Sequence, residues 1–283
     1  MKSRTIIIIL AVLTVLSMAS GAYLYYSSVE AVAREEAKQA VFHAEILTNR
    51  ISIFLSENLK TVKTMAGLKE LPQALISPGE QNALNGANSI LDHFQSALGV
   101  EVCYLLDNEG KGIASSNRNS ADSFVGGNYA VRPYYKEAMQ GKPYVYMAVG
   151  LTSKKPGAYY SYPVYKEGQT SPIGVAVIKA SVDAMAEFFR QDPDEILLLT
   201  DSHGLVFLAS REMYRYRMLW KMRDDELAQI LASKQFGQGP FPWAGMQLKE
   251  GNEVLHESGN KYLLFQTEVE NCPGWKVVSL RSA

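Results

Sequence analysis

Val100-Glu-Val-Cys-Tyr-Leu-Leu-Asp-Asn-Glu-Gly-Lys-Gly-Ile-Ala-Ser-Ser116 reads as a strand, an Asp-x-x-Gly turn and a returning strand that runs into Ala-Ser. The same order comes round again in Glu195-Ile-Leu-Leu-Leu-Thr-Asp-Ser-His-Gly-Leu-Val-Phe-Leu-Ala-Ser210. Asp caps its own backbone in such turns, and Gly takes the positive φ. The Ala-Ser pair falls one residue later in the second copy. Each copy is closed by a Gly-led apolar strand, Gly174-Val-Ala-Val-Ile-Lys179 and Gly274-Trp-Lys-Val-Val-Ser-Leu280. Asp-x-x-Gly hairpins are common singly. Two in the same order predict an internal duplication. The expected chain is α+β, with two modules of antiparallel sheet that meet near Gln191-Asp-Pro-Asp194.

Upstream, residues 27–75 are rich in Ala, Glu, Lys, Gln and Leu, with no Gly or Pro before Gly67 and Pro72. Val41, Ala44, Leu47, Ile51, Phe54, Leu55 and Leu59 recur at steps of three and four, which predicts one long helix with an apolar stripe. It reads as a rod or as an amphipathic packing helix. Pro78-Gly-Glu80 interrupts it, and a shorter helix is expected over Gln81–Leu98. Further helices are expected at Tyr134–Met139, after Pro133 in a tolerated first-turn position, at Val182–Arg190 and at Glu212–Leu231.

Thr5 to Tyr26 carries no charged side chain, enough for about 20 helical residues across a ~30 Å hydrocarbon core. Lys2 and Arg4 precede it and set the N-terminus cytoplasmic. Tyr23, Tyr25 and Tyr26 suit an interfacial belt. A cleaved signal is the rival reading, with Ala19, Ser20 and Gly21 small enough for cleavage, but the run exceeds a usual signal core. The expected organisation is a cytoplasmic tip and single anchor over 1–27, a stalk helix over 28–76, one module over 77–192 and another over 193–283.

With 28 Lys and Arg against 29 Asp and Glu, the net charge is −1 and the cations are scattered, which argues against a nucleic-acid partner. Cys103 and Cys272 lie far apart and are expected as separate buried thiols. Two Cys and four His without ligand spacing argue against a structural metal. Gly-x-Ser-x-Gly, His-Glu-x-x-His and the P-loop order are all missing, so neither catalysis nor a nucleotide or other cofactor has support.

The residues suited to binding chemistry fall between Asn128 and Lys179. Arg132 offers a planar fork of donors that matches a carboxylate, amid Tyr129, Tyr134 and Tyr135. Such an Arg is either a paired structural residue or a ligand clamp. Alternation places Lys179 on one face with Val175 and Val177. It is either a solvated strand end or a buried cation that needs an anion. Between them, Gly150-Leu-Thr-Ser153 supplies the hydroxyls of Thr152 and Ser153.

With its Asn128-Tyr-Ala-Val-Arg-Pro-Tyr-Tyr135, Gly150-Leu-Thr-Ser153, Ala158-Tyr-Tyr-Ser-Tyr-Pro-Val164 and Gly174-Val-Ala-Val-Ile-Lys179, the chain resembles the double-Cache (tandem PDC) extracytoplasmic sensor regions of bacterial receptors. Among these it is similar to the C4-dicarboxylate sensor histidine kinases of the DctB type. The resemblance implies two PAS-like modules beyond an inner-membrane anchor, parallel homodimers, and a small organic anion, such as a mono- or dicarboxylate, held in the membrane-distal module. Tyr129, Arg132, Ser153 and Lys179 are then expected to line the ligand pocket, together with Thr152, Tyr134, Tyr146, Tyr160 and Leu151. Leu151 stands where the dicarboxylate sensors carry a ligand-contacting Thr, which implies a smaller or less polar carboxylate. Amino-acid chemoreceptors of the same architecture carry an Asp near the closing strand for the ligand's ammonium. Here that strand ends in Lys179, and two cations with no partner acid favour an anion. A ligand-free periplasmic scaffold is the reading from another class.

Overall fold

The computed structural model describes the backbone of residues 2–190 and 195–282, and side chains from Leu13 onward except at 33 and 36. It opens with α1 (Lys2–Ala66), α2 (Glu70–Ile76) and α3 (Gln81–Leu98). The long helix stops sooner than its composition predicts. The N–H of Gly67 is shared between the carbonyls of Lys63 and Thr64, and Leu68 bonds back to Met65, so the last turn tightens and closes. The Gly67 region and Pro72 thus split one predicted helix into two.

The first sheet contains β1 (Val102–Leu106), β2 (Gly112–Ser115), β3 (Tyr144–Val149), β4 (Pro156–Tyr165) and β5 (Pro172–Ser181), with α4 (Pro133–Met139) before β3 and α5 (Asp183–Phe188) after β5. Its order is β2-β1-β5-β4-β3. The second contains β6 (Glu195–Thr200), β7 (Val206–Ala209), β8 (Met246–Leu248), β9 (Glu253–His256), β10 (Lys261–Glu268) and β11 (Lys276–Ser282), with α6 (Asp224–Ser233) after β7. Its order is β7-β6-β11-β10-β9-β8. Both sheets therefore place a hairpin first, lay the closing strand against its first member and continue outward. That is the duplication predicted from the turns.

The repeat holds at the level of single bonds. Asp107 Oδ1 accepts the N–H groups of Glu109 and Lys111, and Asp201 Oδ1 accepts those of His203 and Leu205. Ser116 Oγ accepts from Cys103 N–H at 3.0 Å, and Ser210 Oγ from Leu197 N–H at 3.0 Å. The matching serine of the first copy is Ser116, not Ser115. Counted that way, the one-residue slip in the Ala-Ser pair disappears, and Glu101 takes the place of Glu195.

The helix predicted over Glu212–Leu231 is two pieces, a single turn at Glu212–Tyr214 and α6. Between them Tyr216 adopts a positive φ of 57° and its N–H bonds to Val206 O, while Arg217 O accepts from Val206 N–H. The chain there runs as a partner to β7 and cannot remain helical.

One core runs the length of the described fold. Leu47, Ile51, Leu55, Val62 and Met65 of α1 are buried against Ala176 and Ile178 of the first sheet and Leu197, Leu199 and Val277 of the second. α1 lies along β4 and β5 and again along β10 and β11. Of the predicted stripe, Ala44 is also buried, but Val41 is 40% exposed. Burying a Leu or Ile contributes roughly 1.5–3 kcal/mol, so this seam is the main adhesive between helix and sheets. Glu195, 1% exposed, faces the helix: Ser279 Oγ donates to it, and Arg281 and His43 of α1 flank it at 3.5 and 3.8 Å.

Cys103 and Cys272 are free and buried, as expected. Among the described residues no helix is long and apolar enough to cross a membrane. The side chains at the start of the predicted anchor, residues 5–12, and the module boundary at Gln191–Asp194 lie outside what the structure describes.

Candidate ligand-binding site

The outer face of the first sheet, turned away from α1, carries the residues singled out between Asn128 and Lys179. Alternation along β5 works as read from the sequence. Val175 and Val177 join the outer aromatic cluster, while Ala176, Ile178 and Ala180 join the core under α1. Lys179 is 0% exposed. A buried ammonium needs partners, and it has two: its Nζ donates to Ser153 Oγ at 3.0 Å and to the carboxylate of Glu101. The expectation that no acid accompanies the two cations is therefore corrected. Glu101 lies just before β1, whose Val102 is the register partner of Lys179. Its own N–H bonds to Lys179 O. The acid arrives from a neighbouring strand, so spacing around Lys179 gave no sign of it.

Arg132, at the N-cap of α4, is 4% exposed. Its Nη2 donates to Val149 O at 2.9 Å and its Nη1 to Tyr146 Oη at 3.4 Å, with the guanidinium 5.6 Å from the Tyr146 ring centroid. Pro133 in the first turn of α4 directs the preceding Arg away from helical φ/ψ. Tyr129 Oη and Thr152 Oγ1 are 3.0 Å apart. Tyr134 sits behind these groups: Tyr104 Oη donates to its hydroxyl at 2.9 Å, and its ring stacks on Tyr159 with 5.4 Å between centroids. Tyr159 is the register partner of Lys179 on β4. It is 3% exposed, and its hydroxyl meets no hydrogen-bonding partner. A Cβ at Gly150 would stand 2.8 Å from that hydroxyl, and one at Gly157 would stand 2.8 Å from Lys179 Cε. Both glycines keep room for these two side chains.

Burial pushes the phenols of Tyr129, Tyr146 and Tyr159 above their ordinary range, with Arg132 opposing the shift at the last two. They remain protonated near neutral pH and act as donors. The site thus gathers two cations, one carboxylate, three phenols and the hydroxyls of Thr152 and Ser153.

Not every expected residue is there. Tyr160 points to the opposite face of β4 and is packed in the core under α1, because consecutive strand residues alternate. Leu151 lines a cleft of about 500 Å³ with Val149, Gly150 and Lys154 on one side and Lys234, Gly237 and Gln238 of the second module on the other. Tyr159 and Glu101 were missed. Tyr159 was legible as the other half of Tyr159-Tyr160, had the phase of β4 been counted from Lys179. Among the described residues no group of three or more His, Cys, Asp or Glu is placed to hold a metal.

A family model described as Cache domain matches residues 27–283. The chain belongs to the Cache-domain family. This Cache domain is 40% identical over 152 residues to the C4-dicarboxylate transport sensor protein DctB of Pseudomonas aeruginosa, covering 54% of the chain and 24% of that protein. It is 33% identical over 168 residues to the protein of the same name from Rhizobium meliloti, covering 59% and 26%. The chain spans about a quarter of the length of these curated relatives. The V. cholerae histidine kinase DctB sensor domain superposes with a TM-score of 0.79 at 25% identity, over 87% of this chain and 96% of that one. The ligand-binding domain of the Campylobacter jejuni chemoreceptor Tlp3, solved with 4-methylisoleucine, shares the fold with a TM-score of 0.61 at 18% identity, over 87% and 90%. The chain is a sensor domain, not a catalytic one.

Proposed function

We propose that this chain is the extracytoplasmic ligand-sensing region of an inner-membrane receptor, most simply a two-component histidine kinase, and that it binds a small mono- or dicarboxylate between Arg132 and Lys179 in the membrane-distal module. The carrying observation is two almost fully buried cations on one sheet face, ringed by protonated phenols and hydroxyls. Arg132 suits a carboxylate through its fork, Lys179 as a point charge. The DctB relatives support both the anion class and the receptor type. Residues 5–26 would serve as the anchor, and the receptor would act as a homodimer with adjacent α1 helices. Closure around the anion shifts the signalling equilibrium by the ligand's differential affinity for the two states.

A thermal-shift screen of the 283-residue chain against C2 to C6 mono- and dicarboxylates and amino acids, run beside Arg132→Ala, tests this. Ligand at about 100 times its Kd adds about 2.7 kcal/mol. A carboxylate hit that Arg132→Ala abolishes supports the reading. Absence of any carboxylate hit, or one that survives the substitution, overturns it. An amino-acid ligand is the second reading, favoured by one observation: Glu101 supplies a carboxylate that an ammonium group could meet.

A further inference from the structure

Glu101 and Lys179 differ in their freedom to move. Lys179 is 0% exposed, threaded between Tyr159 on β4 and Val102 on β1 and held by Ser153. The side chain of Glu101 is 27% exposed, in an irregular residue ahead of β1, so it is partly open to solvent. We infer that Glu101 is an internal carboxylate that occupies the Lys179 seat until a ligand carboxylate displaces it into solvent, and that it thereby sets which ligand charge the site accepts. The inference rests on the anion-site reading above and deepens it.

The charge balance carries the argument. With Glu101 on Lys179, Arg132 alone supplies net positive charge, and the site suits one carboxylate. With Glu101 swung out, both cations face the ligand and a dianion is matched. A carboxylate already paired to Lys179 repels an incoming one, so every dicarboxylate must first break the Glu101 contact. The protein would then pay in affinity for having Lys179 neutralised while the site is empty, where an unpaired buried ammonium is strongly unfavourable.

Isothermal titration of the full chain with succinate, butyrate and L-isoleucine, in wild type, Glu101→Gln and Glu101→Ala, decides it. Glu101→Gln keeps size and an acceptor for Lys179 but removes the charge. The expected result is about tenfold tighter succinate binding, a smaller gain for butyrate, and a lower melting temperature of the ligand-free protein. Tighter binding to a less stable protein is the signature, since a purely structural Glu101 would lower stability without raising affinity. Glu101→Ala gives the same sign if displacement is the mechanism. Succinate binding that is unchanged or weakened in both variants overturns the inference while leaving the anion site standing. L-isoleucine that binds wild type and is lost in Glu101→Gln overturns it too, because Glu101 would then receive an ammonium. No binding of either carboxylate by any of the three proteins sinks the anion reading itself and this inference with it.

Discussion

Val149 joins Arg132 of the candidate site to the second module through Gln235. The carbonyl of Val149 accepts Arg132 Nη2 at 2.9 Å, while its N–H donates to Gln235 O at 2.7 Å. Gln235 adds a second link, its Nε2 donating to Met147 O at 2.8 Å. The edge strand β3 is thereby bonded to one residue of the other module in the peptide unit next to the Arg132 contact. Gln235→Ala removes the side-chain bond, worth about 1 kcal/mol. We expect faster amide exchange at Val149 and a correspondingly lower melting temperature, with the β1–β5 amides unchanged. Unaltered exchange at Val149 would show that the junction is held elsewhere.

The adjacent phenols of β4 make an internal comparison. Both hydroxyls are buried and unpartnered, Tyr159 on the outer sheet face and Tyr160 in the core under α1. A buried polar atom without a partner costs about 1–3 kcal/mol. Tyr159→Phe and Tyr160→Phe are each expected to stabilise the ligand-free protein by about 1 kcal/mol in urea melts. Only Tyr159→Phe is expected to weaken carboxylate binding. If Tyr160→Phe weakens it equally, the assignment of faces is wrong.

Burial pushes the Cys103 and Cys272 thiols up to about 12. In the unfolded chain a thiol titrates near 8.5. A folded value above the unfolded one gives stability that is complete below about pH 8.5 and declines as the pH rises towards 12. At pH 8 iodoacetamide should label neither cysteine in the folded protein and both in guanidinium. Labelling of the native protein at a rate typical of a free thiol would contradict the burial.

Asp201 behaves differently. Burial raises its carboxyl above the ordinary value, although the N–H groups of Leu205, His203 and Gly204 pull the other way. The raised folded value means its contribution is most favourable below the unfolded value of about 3.9 and diminishes as pH rises through the folded one. Asp201→Asn retains an acceptor for the turn and removes the buried charge. It is expected to cost more stability at pH 4 than at pH 7 in urea melts. The opposite order would mean the charge itself holds the turn.

What could be read from the sequence was mainly what local chemistry dictates. The Asp turns, the closing strands and the phase of β5 follow from period-two alternation and turn geometry, and all three appear in the structure. Arg132 and Lys179 stood out because cations amid apolar or aromatic neighbours demand an explanation. Glu101 escaped because its contact spans two strands distant in the chain, and only sheet register brings them together. Tyr160 was misplaced because a Tyr-Tyr pair cannot say which member faces the ligand until the strand's phase is fixed. The helix over Glu212–Leu231 failed for a tertiary reason: backbone pairing with β7 overrode helical propensity at Tyr216 and Arg217.

The structural equivalence of Glu101 and Glu195 has a consequence for how independently the two halves can be altered. Both halves carry an acid just before or at the start of the corresponding strand, and the partners of the two acids differ. One acid met a lysine on the outward face; the other turned inward to His43 and Arg281 against the stalk. Equivalent positions thus serve the outer sheet face in one half and the hold on the long helix in the other, without sharing a partner. A substitution at 101 is therefore expected to leave the contacts of Glu195 with His43 of α1 and with Arg281 intact, so the charge on the outer face of the first sheet can change without loosening the helix.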